Sequence, residues 1–98
     1  MRAFNLTQRK VFHEVQQERD RQDCKFGLKN REPLGWLPIL AEEFGEVSRE
    51  ICDGYYATKG EDTVLHYKKY REELIHVAAV AIAMAENYDR DREFKGEA

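Results

Sequence analysis

The sequence predicts an all-α fold, an antiparallel bundle of three to four helices per chain that is completed by oligomerisation. Three observations carry this expectation. Apolar residues recur at helical spacing over three long stretches, and no stretch alternates apolar and polar side chains as a half-buried strand does. Proline and glycine interrupt the 98 residues at only a few places, chiefly Gly27, Pro33, Gly35, Pro38, Gly54 and Gly60. The segment Val77–Ala85 is nearly apolar all round, which one short chain can hardly cover by itself. A homodimer or homotetramer is therefore expected, built from a single domain spanning 1–98.

The first helical pattern runs from about Thr7 to Asp23, with Thr7 as its N-cap and Val11, Phe12 and Val15 as its apolar contacts. Lys25–Gly35 reads as a loop with polar and aromatic side chains. The second pattern runs from about Leu37 to Asp53. Pro38 suits a first turn, where its missing N–H is no loss, and Gly54 suits a C-terminal stop. Its apolar stripe is Leu40, Phe44, Val47 and Ile51; Glu43 and Glu46 flank that stripe while Glu42 points farther away. The third and longest pattern runs from about Asp62 to Asp91. Tyr67, Tyr70, Leu74, Val77, Ala81, Met84 and Tyr88 recur at steps of three and four, as the seam of packed helices does. A neighbouring stripe holds Glu73, His76, Val80, Ala83 and Asn87, whose polar groups are expected to border a helix interface rather than open solvent.

Composition narrows the function. With 42% hydrophobic and 36% charged residues and a net charge of −3, the chain reads as a soluble protein without general affinity for nucleic acid. No apolar run approaches the ~20 residues of a membrane span, and the opening Met1–Leu6 segment lacks the apolar run of a signal peptide. Two cysteines, Cys24 and Cys52, make a poor disulfide framework, so a cytoplasmic setting with reduced thiols is expected. A zinc set of Cys24, Cys52, His13 and His66 fits no spacing that tetrahedral sites use.

The residues that point to chemistry are two acidic signatures, Glu42-Glu43-Phe44-Gly45-Glu46 and Glu73-Leu74-Ile75-His76. In each, the i and i+3 positions share one side of a helix. Two such helices face to face bring three or four carboxylates and an imidazole into one small volume. Like charges that close repel unless a cation or protons neutralise them. Oxygen-rich clusters of this kind suit Mg²⁺ or Mn²⁺, ions that usually carry phosphate chemistry. The bland reading is a solvated acidic helix face; Glu73, just before an apolar segment, argues against it.

Together these motifs resemble the MazG-like family of all-α nucleoside triphosphate pyrophosphohydrolases. That family's pattern is Glu-Glu-x-x-Glu, a variable spacer, then Glu-x-x-Asp. Glu42, Glu43 and Glu46 match the first part and Glu73 the start of the second. The strings Trp36–Val47 and Arg71–Ala81 look like the short phage and bacterial branch. So does Arg21–Gly27, with Phe26 where that branch usually carries Trp. The resemblance covers roughly residues 19 to 90.

It implies metal-dependent hydrolysis of (deoxy)nucleoside triphosphates, purine deoxynucleotides among them, to monophosphate and pyrophosphate. Glu42, Glu43, Glu46 and Glu73 are then the catalytic set, with Glu43, Glu46, Glu73 and His76 holding Mg²⁺ or Mn²⁺. Glu42 serves a second ion or orients water, and Glu50, one turn beyond Glu46, joins them or is simply exposed. For phosphate, Lys25 is the first candidate, ahead of Lys68, Arg71, Arg90 and Arg92, and Asn87 reaches phosphate or sugar. For the base, Phe26 and Trp36 stack while Gln22 or Asn30 hydrogen-bonds; Trp36 reads equally well as packing under the loop.

One departure from the pattern stands out, His76 in place of the final Asp. Three readings of it stay open: a ligand better suited to Mn²⁺ than to Mg²⁺, a hydrogen-bond partner of a metal-bound water or of Glu43, or an interfacial histidine. Two other functions compete. One is a non-catalytic helical dimer that binds nucleotide or protein, and the other a related pyrophosphohydrolase acting on dUTP or a histidine-pathway nucleotide.

Overall fold

The computed structural model describes residues 3–57 and 60–94, and all of its regular structure is helical: α1 (Leu6–Phe26), α2 (Pro33–Tyr56) and α3 (Gly60–Phe94). Met1 and Arg2, read above as part of the N-terminal segment, lie outside the described residues.

The helix ends follow local chemistry, though not always at the expected residue. Asn5, not Thr7, caps α1. Its side chain accepts from the Gln8 backbone N–H at 2.8 Å while the Gln8 side chain accepts from the Asn5 N–H at 2.9 Å, a reciprocal capping box. At the other end Gly27 takes φ 71°, a left-handed angle that costs glycine little, and its N–H donates to the Asp23 carbonyl at 2.9 Å. The connecting loop is thus shorter than expected, and α2 starts at Pro33 instead of Leu37. Pro33 sits in the first turn, where Glu32 O accepts from both Gly35 N and Trp36 N. Pro38 is consequently the sixth residue of the helix, beyond the first turn in which it was expected to lie. Nor is Gly54 a stop. The helix continues to Tyr56, and Gly54 is buried because α3 crosses it closely; a Cβ there would lie 3.2 Å from His66 Cβ.

α3 is the spine, packing against α2 along one face and α1 along another. At 35 residues it is ~52 Å long and sets the 56 Å long axis of the molecule. Contacts between α2 and α3 pair Trp36 with Asn87, Glu43 with His76, and Glu50 with His66, so these helices run in opposite directions. Those between α1 and α3 pair Glu14 with Arg71 and Arg19 with Glu86, in the same chain order.

The buried faces are rotated from the expected ones. On α2 the inward positions are Trp36, Ile39, Leu40, Glu43, Val47, Glu50 and Gly54, whereas Phe44 is 66% exposed and Ile51 is exposed too. On α3 the stripe that is buried holds Ala79, Val80, Ala83 and Asn87. Most of the predicted Tyr67–Tyr88 seam is open to solvent or only half covered. Val11 and Phe12 of α1 are likewise exposed, leaving Val15 as that helix's buried apolar residue. The reason is that polar groups pair across the helix interface, so hydrophobicity alone picked the adjacent stripe. The central cluster is Trp36, Val80 and Ala83, flanked by Ile39, Leu40 and Met84. No large side chain is completely buried among the described residues.

Candidate metal centre

The α2–α3 packing aligns the two acidic signatures side by side. Pro33 and the Trp36 anchor fix the rotation of α2, which turns Glu43 inward and leaves Glu42 exposed. On α3, Glu73 and His76 sit one turn apart on the facing side, and His76 Nδ1 lies 3.3 Å from Glu73 Oε2 and 4.0 Å from Glu43 Oε2. One ligand atom from each of Glu43, Glu73 and His76 falls within 4.8 Å of the others. Glu46, one turn after Glu43, adds a fourth carboxyl beside Glu73.

The electrostatics of this cluster are frustrated. Burial pushes the Glu43 carboxyl above its ordinary value, and the Glu46 charge adds to that while His76 opposes it. The Glu46 carboxyl is also raised, first by its hydrogen bond with Glu73, then by burial and by the Glu73 charge. Glu43 Oε2 is buried without a hydrogen-bond partner. A buried carboxylate oxygen left alone is costly, and a divalent cation bound by Glu43, Glu73 and His76 would satisfy it. The donor set of carboxylate oxygens and an imidazole nitrogen fits Mg²⁺ or Mn²⁺, with the nitrogen favouring the latter.

The cluster forms one wall of a cavity of about 470 Å³ between α1, α2 and α3. Glu43, Glu46, Glu73 and His76 meet a lining of Phe26, Leu28, Trp36, Ile39, Val80 and Ala83. Cations stand around the rim, among them Arg21, Lys29, Arg31 and Arg90. Most are already engaged: Arg21 with Glu18, Arg31 over the Trp36 ring at 4.8 Å, and Arg90 with Asn30 Oδ1 and Lys29 O. The Lys29 ammonium has neither ion pair nor hydrogen bond among the described residues.

The other expected site residues are placed as follows. Phe26 and Gln22 reach the cavity wall. Gln22 is already bonded at both ends, accepting from Arg19 Nη1 at 3.0 Å and donating to Glu18 Oε2 at 3.3 Å. Trp36 is 7% exposed and its Nε1 donates to Asn87 Oδ1 at 2.8 Å. Asn87 Oδ1 also accepts from Arg31 N at 2.7 Å, so this buried amide latches the loop and the start of α2 onto α3. Lys25 lies off the cavity lining with its ammonium above Phe26, and Asn30 is held outside by Arg90. Glu50 is engaged by His66 at 2.7 Å, away from the cluster. Cys24 and Cys52 are both exposed, and among the described residues neither joins a group that could hold a metal.

The sequence reading missed Glu18. From α1 it reaches within 4.0 Å of His76 Nε2, and no spacing within α1 signals that approach. Among the described residues no helix is long and apolar enough to cross a membrane. Compared with family models, curated proteins and solved structures, the chain gives no match.

Proposed function

We propose that the chain is a metal-dependent nucleoside triphosphate pyrophosphohydrolase of MazG-like type, converting a (deoxy)nucleoside triphosphate to monophosphate and pyrophosphate. The observation that carries this reading is the buried, unpartnered Glu43 Oε2 beside Glu73 and His76, where both acidic signatures meet on one cavity wall. Glu43, Glu73 and His76 would hold a divalent ion, with Glu46 alongside. Bound there, Mg²⁺ or Mn²⁺ supplies charge neutralisation of the triphosphate and activation of water.

The chain's own residues do the rest. Phe26, Leu28 and Ile39 line a wall on which a planar base can rest, over the buried Trp36. Lys29, whose charge is unspent, is placed for a phosphate. Water is split across the α–β phosphoanhydride, its oxygen ending on one phosphorus and the bridging oxygen leaving on the other. Glu46, an exposed carboxylate one turn from Glu43, would take up the proton released.

A second copy belongs to this reading, which then becomes a helical bundle shared between subunits. Its support is the spread of the chain: the radius of gyration is 16.3 Å, against about 13 Å for a compact domain of 100 residues. Leu37, Phe44 and Ile51, seven residues apart along α2, are all exposed. Light scattering should give a dimer or tetramer; a monomer at micromolar concentration removes this part.

The test of the activity is product analysis with a panel of NTPs and dNTPs in Mg²⁺, Mn²⁺ or EDTA. Monophosphate and pyrophosphate, lost in EDTA, are expected. A binding protein without turnover is the second reading, favoured by the imidazole of His76 at the motif's last acidic position. Nucleotide binding without pyrophosphate release in either metal would select it.

A further inference from the structure

We infer that Glu18 of α1 is a positioning residue for His76, holding the Nε2 edge of the imidazole so that Nδ1 is presented to the Glu43–Glu73 cluster. The consequence is metal choice: a centre that keeps this nitrogen in place prefers Mn²⁺ to Mg²⁺. The inference rests on the metal-centre reading above and adds to it a residue from the helix that carries neither acidic signature.

The geometry is two-sided. His76 Nδ1 faces Glu73 and Glu43, while Nε2 faces Glu18 Oε1 at 4.0 Å. A histidine that gives one ring nitrogen to a metal has the proton on the other, and a carboxylate beside that proton fixes the ring's tautomer and orientation. Glu18 is built for this task. Its side chain is only 10% exposed, and Arg21 grips it through two bonds, Nε to Oε1 at 2.8 Å and Nη2 to Oε2 at 2.6 Å.

The support continues behind it. Gln22 donates to Glu18 and accepts from Arg19, and Arg19 is buried and tied to Glu86 of α3 and to Asp23. A chain of bonds thus runs from Glu86 on α3 through Arg19 and Gln22 to Glu18, whose carboxylate faces His76 Nε2 across 4.0 Å. Glu18 itself is not part of the group of ligand atoms that come within 4.8 Å of one another, which separates its role from that of Glu43 or Glu73. The plain alternative is an i, i+3 helix pair with Arg21 that does nothing for the centre.

Isothermal titration of the full chain with Mn²⁺ and with Mg²⁺ decides between them. Glu18→Asp keeps the charge but shortens the reach, and Glu18→Gln removes the charge; circular dichroism reports whether each folds. Both variants should lower the Mn²⁺ to Mg²⁺ affinity ratio by about tenfold, the usual scale for losing a ligand's supporting partner. In a His76→Ala background the same changes should leave that ratio within about twofold, because the ring they act on is gone. An unchanged ratio in Glu18→Asp, or an equal drop with and without His76, overturns the role of Glu18 and leaves the metal centre standing. Wild-type protein that binds neither ion removes the metal centre and this inference with it. Should Glu18→Gln lose its helicity, the charge-retaining Glu18→Asp carries the test alone.

Discussion

The two faces of α3 are made of different materials. Towards α2 it presents Val80, Ala83 and the Asn87 latch, packed on Trp36, Ile39 and Leu40, with the acidic cluster inserted farther along the same seam. Towards α1 it presents Arg71 and Glu86, which pair with Glu14 and Arg19, and α1 contributes Val15 as its buried apolar residue. An apolar seam loses stability when its volume changes, whereas an ion-paired seam responds to salt and to single charges. The first sets the spacing of Glu43 against Glu73 and His76, and the second governs how Glu18 approaches.

The comparison breaks most readily at Trp36. Replacing it by Ala empties the centre of the α2 seam and frees Asn87, and should cost about 3–5 kcal/mol in urea titration at fixed chain concentration. A loss no greater than that of an exposed residue such as Phe44 would mean that the seam is held elsewhere. Next comes Glu43→Gln. Turnover should fall by more than about a hundredfold, since the change deletes a ligand charge without altering size. Full activity would take Glu43 out of the centre.

The same variant sharpens the electrostatic contrast through pH. Glu43 and Glu46 are raised in the folded chain, so between their ordinary 4.5 and their raised values the folded state binds more protons than the unfolded one. Stability without metal should therefore fall as pH rises from 4.5 through that window, and Glu43→Gln should flatten the fall. Glu14 and Glu18 are lowered by Arg71 and Arg21, and act oppositely: their contribution is present above 4.5 and is lost as pH falls through their lowered values. Melting curves at several pH values in EDTA separate the two. A metal-free melting temperature that rises steadily from pH 5 to 7 would contradict the raised pair.

Salt should then divide the two seams. In about 1 M NaCl, where screening acts within ~3 Å, amides of α1 around Glu14 should exchange roughly two- to fivefold faster while those around Val80 hold. Uniform acceleration would show that both seams share one character. An effect of similar size, but stabilising, is expected at Gly45 on the α2 surface, where an added Cβ meets nothing within 4 Å. Gly45→Ala should stabilise the chain by about 1 kcal/mol through helix propensity. Destabilisation instead would reveal another surface packed against that position.

Helical class was legible because periodicity and punctuation are local properties, and the i, i+3 spacing was enough to bring Glu43, Glu73 and His76 forward. The rotation of the helices was legible only in part: the Glu73–Asn87 stripe was read as bordering an interface, not as its centre. Choosing the most hydrophobic stripe named Phe44, Leu74 and Tyr88, whereas the interface uses His66, Glu73, His76 and Asn87 because each meets a polar partner from α2 or the loop. Asn5 could have been recognised, since Gln8 completes a capping box at the correct spacing. Gly54 could not, as its smallness answers to His66 on another helix. Glu18 and Lys29 belong to the same class: their positions depend on where α1 and the Gly27 turn deliver them, which no single segment records.

α3 has no break between the acidic cluster and the Asn87 latch, about four turns apart on one rod. A rod of this kind has no slack. One residue inserted between Glu73 and Asn87 would swing one end by ~100° relative to the other, so that either the latch or the cluster would face the wrong way. Length variation in this protein should therefore be confined to the turns between helices, while the span from Glu73 to Asn87 behaves as a ruler whose divisions are fixed.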